Sequence, residues 1–161
     1  MEVGTASTWP AGALALKAEL EARPGRLALL GNQSHTEEAA KRLAEAWGTT
    51  PMFVGLALTA SETAPSAEFV AKKLSDGAVF VDLEILFWDD LQIDPLPLLR
   101  QLARSGPRAF LWPGEIDGTS ASFSHPGRPD HYEAQLSDTI VLRARAPRFP
   151  DEPPYDIERI P

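Results

Sequence analysis

The sequence predicts a single doubly wound α/β domain built on a mainly parallel sheet. Short apolar runs alternate with helical patterns along the chain, an order typical of parallel sheets with helices on both faces. One such run, Ala78–Val81, ends in Asp82, and Glu84 follows two residues later. A helical pattern with proline at its start, Asp94–Arg104, then leads to another apolar run, Ala109–Trp112. In P-loop nucleoside triphosphatases an acidic residue after such a strand holds the magnesium–water shell, so we expect a five-stranded sheet of the P-loop NTPase-like type.

The five predicted strands are short apolar runs that end at turn residues. They are Arg26–Leu30, Met52–Leu58, Ala78–Leu83, Arg108–Trp112 and Thr139–Leu142, the last with an extension to Arg145. Apolar side chains at helical spacing predict four helices, which are Ala11–Ala22, a helix from Ser34 or Thr36 to Trp47, Ser66–Leu74 and Asp94–Arg104. In the last of these, Asp94 is the expected N-cap and Pro95 suits the first helical position. Loops or links are expected at Glu2–Trp9, Thr59–Pro65, Trp88–Ile93 and Pro113–Asp130.

The length of the chain sets its domain organisation. With 161 residues it can form one domain but not two of ordinary size. We assign residues 1–146 to the α/β domain. Residues 147–161, which contain five prolines, are expected to form an extended C-terminal tail.

Composition excludes several classes of function. The net charge of −8 disfavours direct DNA binding, because nucleic-acid-binding proteins usually carry a basic surface. The absence of cysteine excludes disulfides, thiolate zinc sites and thiol catalysis. The sequence has neither a signal-peptide pattern nor an apolar run long enough to span a bilayer. We therefore expect a cytoplasmic protein that does not interact with a membrane.

A phosphate-binding loop is expected where Gly31 ends the first predicted strand and a helix follows. The template G-x-x-x-x-G-K-[ST] placed on Gly31 puts Thr36, Glu37 and Glu38 where glycine, lysine and serine or threonine belong. A shorter loop would instead place His35 and Thr36 at the Lys-Thr positions, with Thr36 near a magnesium ion. The alternative is a structural turn with a capping box over Ser34–Glu37, and we favour it because the lysine is missing.

Asp82 and Glu84 form the second candidate group. Residues two apart on a strand point to the same face, so the two carboxylates are expected to lie side by side. Such a pair could hold magnesium or orient a water; alternatively, Asp82 caps the strand and Glu84 lies in solvent. If a nucleotide binds, the candidate binding residues are Gly31, His35, Thr36, Asp82 and Glu84, and the cofactor is Mg²⁺ with ATP.

No further residue cluster predicts catalysis or a resident metal. His125 and His131 lie in a loop whose spacing matches no metal motif, and we favour a solvated loop. No serine has a nucleophile-elbow context. Arg143, Arg145 and Arg148 form a small basic cluster, which favours an edge strand protected by charge. We therefore assign no catalytic residue and no metal ligand.

From Asp82 onward the sequence resembles the BrxF-like family of small P-loop-like proteins in BREX phage-defence systems. The resembling segments are VDLEILFWDDLQIDPLPLLRQLARSGPRAFLWPGEIDG and FSHPGRPDHYEAQ. The resemblance implies a bacterial cytoplasmic protein with a P-loop-like fold. It implies that the protein is encoded beside a large AAA-type ATPase, a DNA methyltransferase and a phosphatase-like protein, which together mark host DNA and block phage replication. It also implies nucleotide contacts at Gly31, Thr36 and Asp82, although this loop has no Gly-Lys pair.

The resemblance and the unusual loop together predict a non-catalytic or degenerate P-loop-like component of a BREX complex. It would act through contacts with other BREX proteins, with the large AAA-type ATPase as the candidate partner, and its oligomeric state stays open. Trp88 and Trp112, both expected to be exposed, are the candidate interface residues. The alternative is a nucleotide-binding sensor or NTPase whose atypical phosphate loop is completed by cationic groups of a partner.

Overall fold

A computed structural model describes residues 9–31, 34–59, 66–88, 93–149 and 151–161. The helices are α1 (Trp9–Glu21), α2 (Thr36–Ala46), α3 (Val54–Thr59), α4 (Ala67–Lys73) and α5 (Pro95–Arg104), with a 3₁₀ helix at Glu84–Phe87. The strands are β1 (Leu27–Gly31), β2 (Met52–Phe53), β3 (Val79–Val81), β4 (Ala109–Leu111), β5 (Glu115–Asp117), β6 (Ser120–Phe123), β7 (Tyr132–Gln135), β8 (Thr139–Ala144) and β9 (Tyr155–Ile160). Of the expected loops, residues 1–8, 60–65 and 89–92 lie outside the described residues.

Six strands form the central sheet in the order β2-β3-β4-β1-β8-β9. The first five are mutually parallel, and β9 is antiparallel to β8. Each of the five predicted strands supplies one strand of the parallel part, so the predicted α/β class and mainly parallel sheet are confirmed. Within this order β1 pairs with both β4 and β8: Leu29 lies opposite Phe110 on one side and Val141 on the other.

Side chains that alternate along the parallel strands bury two cores, one on each face of the sheet. On β1, Leu27 and Leu29 face a core that includes apolar residues of α3, α4 and α5. Ala28 and Leu30 face a second core with residues of α1 and α2. Trp47 fastens the two helices of this second core, because its Nε1 donates a hydrogen bond to the buried Ala13 carbonyl oxygen at 2.8 Å. Helices therefore cover both faces, as expected.

The second predicted strand is shorter than expected. The sequence predicts a strand over Met52–Leu58, but only Met52–Phe53 is extended and α3 begins at Val54. Val54 and Leu58 are both buried and stand four residues apart, which is one helical turn. The spacing of the apolar residues in this run is therefore compatible with a helix as well as with a strand. The short edge strand β2 ends where its pairing with β3 ends.

The segment expected to be a loop at Pro113–Asp130 contains most of a small antiparallel sheet. Strands β5, β6 and β7 form this three-stranded sheet, which we call the meander. It packs on the same side of the main sheet as α5. The Tyr132 hydroxyl donates to Asp94 Oδ1 at 2.7 Å, and burial raises the pKa of Tyr132 above its usual value of 10.0. Asp94 is the N-cap residue of α5, as predicted, but its side chain contacts the meander instead of capping the helix.

The predicted tail also belongs to the main sheet, so the strand count of five and the boundary at residue 146 need correction. β9 pairs with β8 from Ile160 opposite Thr139 to Tyr155 opposite Ala144. Tyr155 and Ile160 are buried, and this apolar contact explains why the end of a proline-rich segment is held in place. Because β9 covers it, β8 is not an edge strand, and Arg143 forms an ion pair with Glu158 at 3.0 Å.

No helix among the described residues is both long enough and apolar enough to cross a membrane.

Candidate functional site

A cleft of about 800 Å³ lies at the carboxyl edge of the parallel sheet. It lies where β2, β3 and β4 end and α2 begins; we call it the carboxyl-edge cleft. Its lining residues are Thr36, Glu37, Glu38, Lys41, Pro51, Phe53, Val81, Asp82, Glu84, Leu111, Trp112, Pro113 and Gly114. β1 and β4 are neighbours in the sheet, but the chain continues from them in opposite directions. After β1 it continues to β2, on the β4 side of β1, whereas after β4 it continues to β8, on the other side of β1. Ligand sites of open α/β sheets lie at such a reversal.

The first turn of α2 presents carboxylates to the cleft. β1 ends at Gly31 and α2 begins at Thr36, so the connection has the length of the phosphate-loop template placed on Gly31. Glu37 and Glu38, which occupy the template positions of lysine and serine or threonine, both line the cleft and are exposed. Thr36 also lines it and is buried. The two carboxylates interact favourably with the positive end of the α2 dipole, and they compete with a phosphate for this position.

The capping box predicted over Ser34–Glu37 is wrong. The N-cap residue is His35, and its side chain makes no capping hydrogen bond. His35 adopts a left-handed backbone conformation with a φ of 62°, which is uncommon for a residue with a side chain. Neither His35 nor Gly31 is among the residues that line the cleft. The shorter loop would place His35 in the position of lysine, but His35 does not line the cleft, so the structure gives this arrangement no support.

Asp82 and Glu84 both line the cleft, but they do not lie on one strand. β3 ends at Val81, Asp82 has a φ of 60°, and Glu84 begins the 3₁₀ helix. Just after the strand, the Asp82 carbonyl oxygen accepts a hydrogen bond from the Gly55 amide at 3.2 Å. The Asp82 carboxylate also packs closely on this glycine, since a Cβ at Gly55 would lie 2.5 Å from Oδ2. The expectation of a shared strand face is wrong, although the two carboxylates reach the same cleft.

The meander occupies the space next to the end of β1. The Ile116 side chain lies against Gly31, where an added Cβ would come 2.9 Å from Cδ1. Gly114 allows the hairpin to approach, because a Cβ there would overlap the Ser122 carbonyl oxygen. Arg143 Nη1 donates to the Ile116 carbonyl oxygen at 3.4 Å. The first position of the expected phosphate loop is thus in contact with an apolar side chain.

The two candidate interface tryptophans differ in exposure. Trp88 is 56% exposed, as expected, whereas Trp112 is only 2% exposed, so the expectation of an exposed Trp112 is wrong. The Trp112 Nε1 donates to the Ser122 carbonyl oxygen at 2.9 Å, and its ring meets Phe87 edge-on at 5.3 Å. Trp112 is buried because the meander folds over it. Trp112 forms part of the wall of the carboxyl-edge cleft.

The charges around the cleft are unbalanced. Four lining side chains are carboxylates, Glu37, Glu38, Asp82 and Glu84, whereas Lys41 supplies the lining ammonium group. In the described part of the chain, none of these five side chains takes part in an ion pair. A doubly or triply anionic phosphate would therefore meet net repulsion.

Sequence reasoning did not identify Lys41 or Phe53 as site residues. The sequence does indicate the position of Lys41, because it follows Glu37 by one helical turn and therefore lies on the same face of α2. No local sequence pattern indicates Phe53 as a site residue, because it reaches the cleft through the pairing of β2 with β3.

The histidine loop does not form a metal site among the described residues, where no group of three or more His, Asp or Glu side chains is placed to hold an ion. Ser124 Oγ donates to Asp130 Oδ1 at 2.6 Å, and this hydrogen bond lowers the pKa of Asp130 from its usual value of 3.8. The loop is therefore organised by its own polar contacts.

No protein-family model matches the chain, and no curated protein or solved structure matches it.

Proposed function

We propose that this protein is a non-catalytic, degenerate P-loop-like component of a BREX phage-defence complex that acts by docking other proteins. Adjacency of the first and fourth strands is expected for a P-loop fold, and the pairing of β1 with β4 agrees with it. The position of Asp82 directly after β3 agrees with the acidic residue of such folds. The BREX assignment rests on the resembling segments from Asp82 onward, and the large AAA-type ATPase is the proposed partner.

The observation that carries the non-catalytic assignment is the placement of Glu37 and Glu38 in the carboxyl-edge cleft. A working phosphate loop uses a lysine and backbone amides to offset the charge of the β- and γ-phosphates. Here two carboxylates stand at the helix N-terminus instead, and Ile116 fills space beside Gly31. Both features oppose the binding of a nucleotide with magnesium.

The second candidate function is a nucleotide sensor or NTPase that is completed by a partner. Two observations favour it: the cleft of about 800 Å³ lies at the expected place, and Thr36, Lys41 and Asp82 line it. A neighbouring subunit could then supply the missing cations, as arginine fingers do in trans.

Calorimetric titration of the full chain with Mg²⁺–ATP, and separately with ADP, tests the proposal. We expect no saturable heat from the natural protein. The double variant Glu37→Lys/Glu38→Thr restores two template residues, and we expect it to gain measurable binding because the net charge of the lining side chains rises from −3 to zero. Glu45→Lys, a change on the exposed surface of the same helix, is the control and should gain none.

Saturable binding of Mg²⁺–ATP to the natural protein would overturn the non-catalytic assignment and favour the sensor. In that case Asp82→Ala should weaken binding. The docking part of the proposal is tested by size-exclusion chromatography of the chain mixed with the large ATPase. Co-elution is expected, and separate elution at micromolar concentrations would contradict it.

A further inference from the structure

The wall of the carboxyl-edge cleft places an exposed aromatic ring beside carboxylates. Phe53 is 55% exposed, although phenylalanine is usually buried. It lies opposite Val81 in the pairing of β2 with β3, and Asp82 follows Val81 in the chain. Pro51 and Leu111 add further apolar surface. The cleft therefore offers both an apolar contact and negative charge to whatever enters it.

This combination selects one chemical group among the common ones. A phosphate would be repelled by the four carboxylates. A metal ion lacks a suitable group of three ligands among the described residues, and a neutral group would leave the carboxylates without a counter-charge. A guanidinium ion fits both parts, because its planar face stacks on an aromatic ring while its N–H groups donate to carboxylates. Its aliphatic stem can cover the apolar wall.

We propose that the carboxyl-edge cleft binds an arginine-bearing segment of a partner protein. The guanidinium lies between the Phe53 ring and the carboxylates of Asp82 and the first turn of α2. This inference deepens the proposed docking function and rests on it, since a cleft that holds a nucleotide is not free for a peptide. The charge of the cleft supplies the complementarity that such an interface needs.

Nuclear magnetic resonance titration of the full chain with a blocked glycine–arginine–glycine tripeptide tests the inference. Matched probes replace the arginine by citrulline, which has the same shape without charge, and by lysine. We expect amide shifts at Glu37, Glu38, Phe53 and Asp82, with binding about fivefold weaker for the citrulline peptide. Binding of the arginine peptide should weaken as salt is raised, since the contacts are partly exposed.

Two sets of variants distinguish the cleft from general acidity. The triple variant Glu37→Gln/Glu38→Gln/Asp82→Asn should lose the preference for arginine over citrulline. Glu21→Gln/Glu45→Gln/Glu68→Gln removes the same number of exposed carboxylates elsewhere and should keep it. Phe53→Ala should weaken the arginine peptide about threefold and reduce its advantage over lysine. Circular dichroism confirms that each variant is folded.

The experiments distinguish failure of the arginine inference from failure of the proposed function. Equal binding of the arginine and citrulline peptides, shifts confined to other surfaces, or an equal loss in both triple variants would overturn the arginine inference alone. Saturable Mg²⁺–ATP binding in the calorimetric experiment would overturn the proposed function.

Discussion

At the scale of single residues, burial separates two tryptophans that look alike in the sequence. Each follows a short apolar run and precedes a loop. Trp112 packs edge-on against Phe87 and donates its indole N–H to the Ser122 carbonyl oxygen. Trp88 follows the 3₁₀ helix and is largely exposed. The first is therefore a core residue, and Trp88 remains the candidate for contact with a partner.

Truncating these two tryptophans should have very different effects on stability. We expect Trp112→Ala to lower the free energy of unfolding by about 3–5 kcal/mol, because a large buried ring is removed and the Ser122 carbonyl oxygen loses its donor. Trp88→Ala should change it by no more than about 0.5 kcal/mol. Urea unfolding followed by circular dichroism measures both. A small effect at Trp112 would contradict the packing of the meander over it.

At the scale of elements, one buried guanidinium joins the ends of two helices. Arg108 precedes β4 and is buried. Its Nη1 donates to the Leu102 carbonyl oxygen at 2.6 Å and to Ser105 Oγ at 2.9 Å, both at the end of α5. Its Nε donates to the Gly77 carbonyl oxygen at 2.9 Å, and Nη2 donates to that of Ser75, just after α4. Burial lowers the pKa of Arg108 from its usual value, and these acceptors satisfy the N–H groups of the charged side chain.

Replacing Arg108 should loosen both helix ends. We expect Arg108→Ala to cost about 3 kcal/mol of unfolding free energy, because several buried acceptors lose a charged donor together. Arg108→Lys should recover part of the loss, since one ammonium cannot reach all the acceptors of a planar fork. Arg100→Ala, which removes a single exposed hydrogen bond to Ser137, is the control. Equal effects of the alanine changes at 108 and 100 would contradict this role.

At the scale of the whole molecule, an ion pair joins α1 to β9. Arg159 on β9 donates to both carboxylate oxygens of Glu19 on α1, at 2.7 and 2.8 Å, and Arg26 donates to Glu19 at 3.0 Å. The hydrogen bond from Arg159 is the main cause that lowers the pKa of Glu19 below its usual 4.5. This clasp joins residues that are 140 positions apart in the chain.

The clasp should make a small, pH-dependent contribution to stability. Because the folded pKa of Glu19 lies below 4.5, its contribution is present above that pH and is lost as the pH falls through the folded value. We expect Arg159→Ala to cost about 0.5 kcal/mol at neutral pH, a small value because the pair is partly exposed. The difference from the natural protein should vanish below the pH at which Glu19 is protonated. Arg100→Ala, whose acceptor does not titrate, should show a constant difference.

Sequence patterns predicted much of the fold but less of the site. The five parallel strands and the helices α1, α2, α4 and α5 follow from local apolar periodicity, which reports burial directly. The meander and β9 were missed, because glycine, proline and charged residues there match loop patterns while the pairing partners lie elsewhere in the chain. Thr36, Asp82 and Glu84 do line one cleft, whereas Gly31 and His35 do not.

By itself, the sequence determined the α/β class, the parallel strands and the carboxylates at the start of α2, since each depends on residues close together in the chain. Only the tertiary structure decided that Trp112 is buried, that Ile116 lies against Gly31, and that Phe53 stands near Asp82 at the cleft. These contacts depend on strand order and on the approach of distant segments. Local patterns carry no information about either, because the free energy that selects them comes from burial shared between segments far apart.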